Sequence, residues 1–413
     1  MSFGSLGLCD ELLKTIAQQG YTTPSPIQIE AIPMVLSQRD VMAVAHTGTG
    51  KTAGFTLPML QLLSGGPSPQ ALCVRALVIA PTRELAAQVA QSVQNYSLYM
   101  NIRSGVVFGG VRIEQQIAQL QGGLDVLVAT PGRLIDLYNQ QAINFERLEM
   151  LVLDEADRML DLGFIDDIRR IQMLLPAKRQ TLMFSATFSK QIKSLAKGML
   201  HNPILIEVAA AKNAVDKIQQ KLHPVDKERK SEVLIHLIKQ NNWHQVLVFT
   251  RTKLGADSLV VQLGKAGINA ESIHSNRTQH ARTRALAGFR SGSVVVLVAT
   301  DIASRGIDVN QLPCVVNFEL PYVPEDYLHR IGRTGRAGTF GLAVSLFSED
   351  ESKQLQSIER VIGRKFEYEI IPGFAPREKA PVISSDDDEY GNFEADPNPR
   401  RRGKSQGRGR NRR

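Results

Sequence analysis

Residues 41–52 read VMAVAHTGTGKT, an apolar run that passes directly into a glycine-rich segment ending in Lys51 and Thr52. The run has the length of a buried strand, and a helical pattern starts after the glycines. Glycines between a strand and a helix let backbone N–H groups approach phosphate oxygens closely. The usual pattern has another glycine where this chain has Ala45, so a plain glycine-rich turn is the alternative. The stretch predicts an α/β fold with a phosphate-binding loop at a strand end.

Similar apolar runs recur along the chain, and helical patterns such as Glu84–Tyr99 separate them. This alternation predicts parallel sheets covered by helices on both faces, with ligands at the carboxyl ends of the strands. The first-half runs are Val41–Ala45, Ala76–Ala80, Val126–Ala129, Met150–Leu153 and Thr181–Phe184. The second-half runs are Val246–Phe249, Ala270–Ile273, Val294–Ala299, Cys314–Phe318 and Leu342–Phe347.

The chain has 413 residues, more than one core of about 250 residues accommodates. The small residues of Ala209–Val215 carry no strand signal and indicate a flexible linker. We therefore predict a first domain over 1–208, a linker over 209–217 and a second domain over 218–373. Residues 374–413 lack a core-forming pattern and are expected to be a disordered tail.

The net charge of +8 is concentrated in this tail. Residues 400–413 hold 8 of the 49 basic residues and no acid, which leaves 41 basic and 41 acidic residues elsewhere. A basic tail indicates a polyanionic partner, and a solubilising tail is the alternative. No apolar run approaches the roughly 20 residues that span a bilayer, and the N-terminus lacks a secretory pattern. Three widely spaced cysteines argue against disulfides or zinc and fit a reducing cytoplasm.

A second motif, Asp154-Glu155-Ala156-Asp157, follows the run Met150–Leu153. Beside a phosphate-binding loop, Asp154 can hold Mg²⁺ through water and Glu155 can activate a water molecule, with Lys51 on the β- and γ-phosphates and Thr52 on the metal. A helix N-cap is the alternative for paired acids at this position. The segment 329–336, HRIGRTGR, supplies arginines at three-residue spacing that can reach a γ-phosphate if it faces this site.

The ordered set of motifs resembles the DEAD-box ATP-dependent RNA helicases, and within them the bacterial RhlE-like subgroup, from about Phe3 to Pro372. The resemblance implies two RecA-like domains in tandem that bind one ATP with Mg²⁺. It also implies RNA-stimulated ATP hydrolysis coupled to local unwinding or remodelling of RNA duplexes and RNA–protein complexes. A catalytically weak RNA-binding scaffold and a DNA-directed translocase are the alternatives.

The resemblance also assigns roles to individual positions. In the nucleotide site, Gln28 is expected to bond the adenine edge, Tyr21 to stack on the ring and Asp308 to touch the ribose. The full ATP-binding set is Phe3, Tyr21, Gln28, Thr47, Gly48, Thr49, Gly50, Lys51, Thr52 and Asp308. The catalytic set is Lys51, Asp154, Glu155, Arg333 and Arg336, with Arg336 as the arginine finger and with Mg²⁺ held by Thr52 and Asp154, partly through water.

Positions expected to contact RNA carry hydroxyl, amide, glycine N–H or guanidinium groups, which bind phosphates and sugars without reading bases. They are Thr82, Arg83, Gly109, Gly110, Thr130, Arg133, Arg251, Gln279, Arg282, Thr300 and Gly306. The residues expected to couple the two activities are Asp157, Ser185, Thr187 and His329.

The chain departs from the family pattern at three places. His46 replaces a common Gln, Thr49 replaces a common Ser, and Ser275-Asn276-Arg277 replaces a turn that begins with glycine. The last departure puts the nearby RNA contacts in question. RNA is the expected partner with little sequence preference, while ribosome-assembly and RNA-decay proteins remain open partner classes, and no membrane partner is expected.

Overall fold

A computed structural model describes residues 2–45, 48–208, 218–301, 312–335 and 341–377. The remaining residues include the predicted linker, nearly all of the predicted tail and several expected site positions. The expected site positions that lie outside the described residues are Thr47, Gly306, Asp308 and Arg336.

The first domain is a parallel sheet with helices on both faces. Its strands are β1 (Val41–Val44), β2 (Val74–Ile79), β3 (Ser104–Val107), β4 (Leu124–Ala129), β5 (Met150–Leu153), β6 (Gln180–Ser185) and β7 (Ile204–Glu207). Its helices are α1 (Asp10–Gln18), α2 (Pro26–Leu36), α3 (Lys51–Ser64), α4 (Arg83–Tyr96), α5 (Ile113–Leu120), α6 (Pro131–Asn139), α7 (Ala156–Asp161), α8 (Ile165–Leu174) and α9 (Lys190–Met199).

The second domain repeats the scheme. Its strands are β8 (Ile218–Pro224), β9 (Val246–Thr250), β10 (Ala270–Ile273), β11 (Val296–Thr300), β12 (Cys314–Asn317) and β13 (Gly341–Phe347). Its described helices are α10 (Lys230–Gln240), α11 (Lys253–Lys265), α12 (Gln279–Arg290), α13 (Pro324–Ile331) and α14 (Ser352–Ile362). Phe374, assigned to the tail from sequence, packs against this domain's core, and the Arg377 N–H donates to Asp226 at 3.0 Å.

Within the described residues, the first sheet has the order β3-β4-β2-β5-β6-β1-β7 and the second β10-β11-β9-β12-β13-β8, and the strand pairs are parallel. All ten strands predicted from sequence are present. Three further strands, β3, β7 and β8, carry none of the apolar runs found in the sequence, and each of these lies at a sheet edge. Edge strands have partly exposed faces, so β7 alternates residues that are at least partly buried with exposed ones over only four positions, instead of forming a fully buried run.

Both faces of the first sheet are buried, so its central strands are apolar throughout. In β2, Ala76 and Val78 belong to one core cluster, while Leu77 and Ile79 belong to the cluster on the opposite face. Because both faces are buried, the central strands have continuous apolar sequences and do not alternate apolar with polar residues. Among the described residues, no helix combines the length and apolarity needed to cross a bilayer.

A buried ionic cluster joins the strand ends of the second domain. Glu351 is fully buried and pairs with the Lys230 ammonium and, at 3.1 Å, with Arg251. It also accepts hydrogen bonds from the backbone N–H groups of Leu320 at 3.0 Å and Ser348 at 3.1 Å. Burial lowers the pKa of Lys230, and the charge of Glu351 opposes that shift. One carboxylate thus satisfies donors from the start of α10 and from the segments that follow β9, β12 and β13.

We predict that Glu351→Ala destabilises the second domain by about 3–5 kcal/mol, because removal of one partner leaves the other buried charges uncompensated. The measurement is the free energy of unfolding in urea. Glu349→Ala is the matched control, because Glu349 is exposed and lies in the same short helix, Glu349–Glu351; it is expected to change the free energy of unfolding by less than about 0.5 kcal/mol. Equal effects of the two substitutions would contradict the prediction.

Candidate functional site

The glycine-rich loop after β1 has the backbone that a phosphate site requires. Gly48 and Gly50 have φ values of +82° and +90°, a conformation that favours glycine. A side chain at Gly50 would also overlap the amide of Gln28. Ala45, by contrast, continues the strand with its N–H bonded to the Ser185 carbonyl at 3.0 Å. The missing first glycine is therefore not needed here, and the loop leads directly into α3 at Lys51.

Lys51 and Asp154 bury polar atoms that lack a hydrogen-bond partner among the described residues. These atoms are the Lys51 Nζ and the Asp154 Oδ1, and the two residues are 6% and 2% exposed. Such groups are costly to bury unless something binds them. Burial raises the pKa of Asp154 to about 7, although the nearby Lys51 opposes the shift. The ammonium group of Lys51 can bind a phosphate group, and the carboxyl group of Asp154 can bind a hydrated cation, because each has an atom without a hydrogen-bond partner.

The donor set also fits magnesium. Among the described residues, no group of three or more acidic, histidine or cysteine side chains can hold a metal. Magnesium typically binds one or two protein ligands and keeps substrate phosphates and water for the rest of its shell. Asp154 and Thr52, in the first turn of α3, are the groups available for that role.

Glu155 has a strained backbone and is surrounded by positive charge. Its φ is +52°, which is uncommon for a residue with a side chain. Its carboxylate accepts a hydrogen bond from Arg158 at 3.2 Å. Burial opposes ionisation, but the charges of Arg158, Lys51 and Arg333 outweigh it and lower the pKa of Glu155. The sequence analysis missed Arg158, which lies three residues along the chain and fixes this carboxylate.

Asp157 connects the acidic motif to β6. Its Oδ2 accepts hydrogen bonds from the backbone N–H groups of Ala186 and Thr187, both at 3.0 Å. The Ser185 hydroxyl donates to the Thr187 carbonyl at 2.9 Å and closes the same turn. Three of the four residues expected to couple hydrolysis to RNA therefore lie in one hydrogen-bonded unit, and their coupling role remains a prediction.

The two domains face each other across a cavity of about 270 Å³. The first domain lines it with Glu155, Asp157 and Thr187, and the second lines it with His329 and Arg333. The described part of the 329–336 segment therefore faces the acidic motif, which is the condition set above for its arginines to reach a γ-phosphate.

The arginines of the 329–336 segment differ in role. Arg330 is 2% exposed and binds Asp301 with two hydrogen bonds, at 2.6 and 2.7 Å. It also donates to the Glu319 carbonyl at 2.6 Å and lies over the Phe249 ring. Arg330 therefore fixes α13 to the sheet, and Arg333 is the described arginine of the three that lines the cavity.

The residues expected around adenine all belong to the first domain. Phe3 packs in its core, and Tyr21 is half-exposed. The Gln28 amide donates to the Gly50 carbonyl at 3.1 Å and its oxygen accepts from the Ser25 N–H at 2.9 Å. Gln28 thus supports the glycine-rich loop and the start of α2, a role that the sequence analysis did not anticipate. Its contact with adenine stays a prediction.

The RNA-contact positions expected in the first domain follow β2, β3 and β4. Thr82 caps α4 by accepting the Leu85 N–H at 3.3 Å, and Thr130 precedes α6. Gly110 has a φ of +77°, and a side chain there would collide with the Arg83 guanidinium. Gly109 leaves ordinary contact distance to the same group, at 3.9 Å. The closely packed pair of Gly110 and Arg83 therefore shapes this surface.

In the second domain, one position expected to contact RNA is ion-paired within its own domain, and its RNA contact stays a prediction. Arg251 is ion-paired with Glu319 and Glu351 at 3.6 and 3.1 Å, and its guanidinium lies 4.9 Å from the centre of the Tyr322 ring. These contacts occupy Arg251 within its own domain. Thr300 ends β11, next to β9 in the sheet, as expected for a contact at the strand ends.

The unusual turn at residues 275–277 is well ordered by side chains. Ser275 is not among the described residues with positive φ, so replacement of glycine there causes no backbone strain. Arg277 donates to Asp257 at 2.8 Å, and Lys253 donates to Asn276 at 2.9 Å. The turn leads into α12, which carries Gln279 and Arg282, so the departure leaves these two residues in place.

Both domains present guanidinium atoms with unused donors at expected RNA contacts. The terminal nitrogen NH1 of Arg133 and the Nε of Arg282 are buried and lack a hydrogen-bond partner among the described residues. Buried donors of this kind normally have a partner. A phosphate oxygen is the acceptor that matches a guanidinium in both charge and geometry.

Comparison with known proteins identifies relatives over nearly the whole chain. Residues 25–195 match the DEAD/DEAH box helicase family model, and residues 229–338 match the helicase conserved C-terminal domain. ATP-dependent RNA helicase RhlB of Pseudomonas syringae pv. tomato is 40% identical over 376 residues, covering 90% of this chain and 95% of that protein. DEAD-box ATP-dependent RNA helicase CshA of Geobacillus kaustophilus is 41% identical over 366 residues, covering 89% and 78%.

Solved structures agree and also report on the domain arrangement. S. cerevisiae Dbp5 bound to RNA and ADP BeF3 aligns with a TM-score of 0.80 at 33% identity, covering 91% of this chain and 95% of that one. A variant of Dbp5 bound to Nup159, a Gle1 variant, IP6 and ADP gives 0.63 at 31% identity, covering 90% and 96%. The domains are thus RecA-like, and their arrangement is closer to that of Dbp5 with RNA and ADP BeF3.

We predict that Gly110→Ala raises the RNA concentration that half-saturates ATP hydrolysis by about tenfold, because the added methyl group displaces Arg83 from its place on the surface. Gly109→Ala is the matched control, since its backbone and its surroundings accept a methyl group, and it is expected to stay within about twofold. RNA titrations of phosphate release provide the measurement. Similar values for the two variants would show that Gly110 does not position Arg83.

We predict that magnesium binding weakens about tenfold between pH 8 and pH 6, because Asp154, with its pKa at about 7, must lose a proton to hold the metal. The lowered pKa of Glu155 keeps that group ionised over the same range. The measurement is the Mg²⁺ concentration for half-maximal phosphate release, corrected for Mg²⁺ binding to ATP alone at each pH. A corrected value that is independent of pH would refute the assignment of Asp154.

Proposed function

The chain belongs to the DEAD-box family and is an ATP-dependent RNA helicase, and from this premise we propose how its own residues perform the reaction. The observation that carries the proposal is the position of Arg333. It lies across the domain cavity from Asp157 and Thr187 and lowers the pKa of Glu155 in the opposite domain. Catalytic groups from both domains therefore share one site.

In the first domain, we propose that the glycine-rich loop and Lys51 bind the β- and γ-phosphates of ATP. Gln28 and Tyr21 bind the adenine, with Phe3 as support from the core. Thr52 and Asp154 hold Mg²⁺, which when bound neutralises phosphate charge during transfer. The buried side-chain atoms of Lys51 and Asp154 that lack a hydrogen-bond partner support these assignments.

Glu155 orients the attacking water and accepts its proton. Its lowered pKa supports this role, because a base must be ionised before it can take a proton. Arg158 keeps the carboxylate aimed into the cavity. Arg333, together with Arg336, binds the γ-phosphate and stabilises the charge that develops on it. Since these arginines belong to the second domain, hydrolysis requires the two domains to close.

RNA binds across the carboxyl edges of both sheets and favours that closed arrangement. The free donors of Arg133 and Arg282, one in each domain, support a groove that contacts the backbone and reads little sequence. Asp157 transmits the state of the ATP site to β6 through its bonds to Ala186 and Thr187. Bending of one bound strand then melts a short duplex, and release of phosphate reopens the cleft.

We propose further that the protein belongs to the RhlE-like subgroup, on the pattern of its motifs, and acts in the cytoplasm with partners from ribosome assembly or RNA decay. We assign the first domain to 1–208 and the second to 218–377, so that it includes Phe374 and Arg377, with the linker 209–217 between them. The eight basic residues of 400–413 form a nonspecific RNA tether. Removal of residues 378–413, which spares Phe374, is expected to reduce the salt dependence of RNA binding.

We predict that Lys51→Ala and Arg333→Ala each lower RNA-stimulated ATP turnover by at least about 10³-fold, because each removes charge that stabilises phosphoryl transfer. Arg169→Ala, an exposed arginine on α8, is the control and is expected to retain full activity. Phosphate release is measured with RNA and with DNA of the same sequence. Normal turnover in either variant contradicts the mechanism, and equal stimulation by DNA favours the translocase alternative.

A further inference from the structure

One contact between the domains lies outside the nucleotide cavity. Glu84, in the first turn of α4, has a side chain only 6% exposed. Its carboxylate lies 2.8 Å from the Arg282 guanidinium of the second domain. It also accepts a hydrogen bond from the Gln279 amide at 3.1 Å. Arg83, beside it, reaches the Gln279 oxygen at 3.4 Å. We call Glu84, Gln279 and Arg282 the interdomain clasp.

The charge of Glu84 is opposite to what an RNA surface requires. Arg83 and Arg282 flank it, and both are expected to bind phosphates. A carboxylate between them repels RNA and cancels part of their attraction. A side chain that only bordered the RNA groove would be better neutral. Its burial against Arg282 indicates that it contributes through a protein contact instead.

The second domain holds its side of the clasp rigidly. Asp257 accepts hydrogen bonds from Ser272 at 2.6 Å, from His274 at 3.0 Å and from Arg277 at 2.8 Å. These bonds fasten the turn before α12 to α11. Gln279, the first residue of α12, and Arg282, one turn later, therefore project from a fixed helix start, and Glu84 meets them only when the domains are closed.

Resting on the proposed function, we propose that Glu84 is a positioning residue that stabilises the closed arrangement through Gln279 and Arg282. It thereby strengthens RNA-dependent ATP hydrolysis although its own charge repels RNA. The clasp also orients Arg282 while leaving its Nε free for a phosphate. The contact joins side chains of the protein alone, so its energy adds to that of the nucleotide and RNA contacts in favour of closure.

The proposal and simple electrostatics predict opposite results for Glu84→Gln. Loss of the ionic contact is expected to raise the RNA concentration for half-maximal ATP hydrolysis roughly tenfold, since truncating one partner of a buried charge pair is costly. The rate at saturating RNA is expected to fall much less, because RNA can still close the domains. If Glu84 only borders the RNA, removing its charge instead tightens RNA binding and lowers that concentration.

A swap of the two side chains separates a specific contact from general damage. Gln279→Glu alone places two carboxylates next to each other. It is expected to raise the RNA concentration for half-maximal ATP hydrolysis at least as much as Glu84→Gln. The double variant Glu84→Gln/Gln279→Glu restores one charge and the hydrogen bond between the positions. It is expected to recover at least half of the loss in a double-mutant cycle. Glu146→Gln, an exposed acid remote from the cleft, is the charge-matched control and is expected to leave all values unchanged.

Domain closure is measured in parallel by energy transfer between dyes on exposed positions of α8 and α14. The proposal expects fewer closed molecules in Glu84→Gln at subsaturating RNA, and recovery in the swap. It is overturned if Glu84→Gln closes as wild type does, binds RNA more tightly, or is not rescued by the swap. Loss of RNA stimulation in the wild-type protein would instead overturn the proposed function, so the two failures are distinguishable.

Discussion

The first domain buries an ammonium group and a carboxyl group that do not satisfy each other, and its architecture follows from that constraint. Lys51 follows β1 and Asp154 follows β5, and β6 lies between these strands in the sheet. Because β6 occupies the middle position, the turn after it is within reach of Asp157. The strand order therefore places the turn after β6 beside the glycine-rich loop and the acidic motif.

The central strands were predictable because both of their faces are buried, so their sequences are continuously apolar. The edge strands β3, β7 and β8 were not predicted. Partly exposed faces allow polar residues in such strands, as with Glu207 in β7 and Gln219, Gln220 and Lys221 in β8. The phosphate-binding loop and the acidic motif were predictable for a different reason. Their chemistry depends on residues that are adjacent in sequence, and Gly48 and Gly50 need a backbone that glycine adopts readily.

Side-chain roles that depend on distant partners could not be predicted. Arg330 and Arg333 look equivalent in sequence, yet Arg330 turns inward because Asp301 lies beneath it. Arg251 has the chemistry of a phosphate contact, and its ion pair with Glu351, a hundred positions along the chain, could not be read from its own motif. The partner of Glu84 lies in the other domain. In each case the deciding group is far away in sequence, so a local motif specifies the residue type but not its contact.

The missed edge strand β7 also determines how the two halves are joined mechanically. The chain leaves the first domain from β7, which pairs with β1 over Val41 to Val44, and enters the second at β8. The bonds that hold β7 include the Ile204 N–H to the Asp40 carbonyl at 2.8 Å and the Val208 N–H to the Val44 carbonyl at 3.0 Å. A pull on the connection between the halves therefore reaches the glycine-rich loop across a single row of hydrogen bonds. Tension from a movement of the second domain would act first on β1, the strand that leads into the glycine-rich loop.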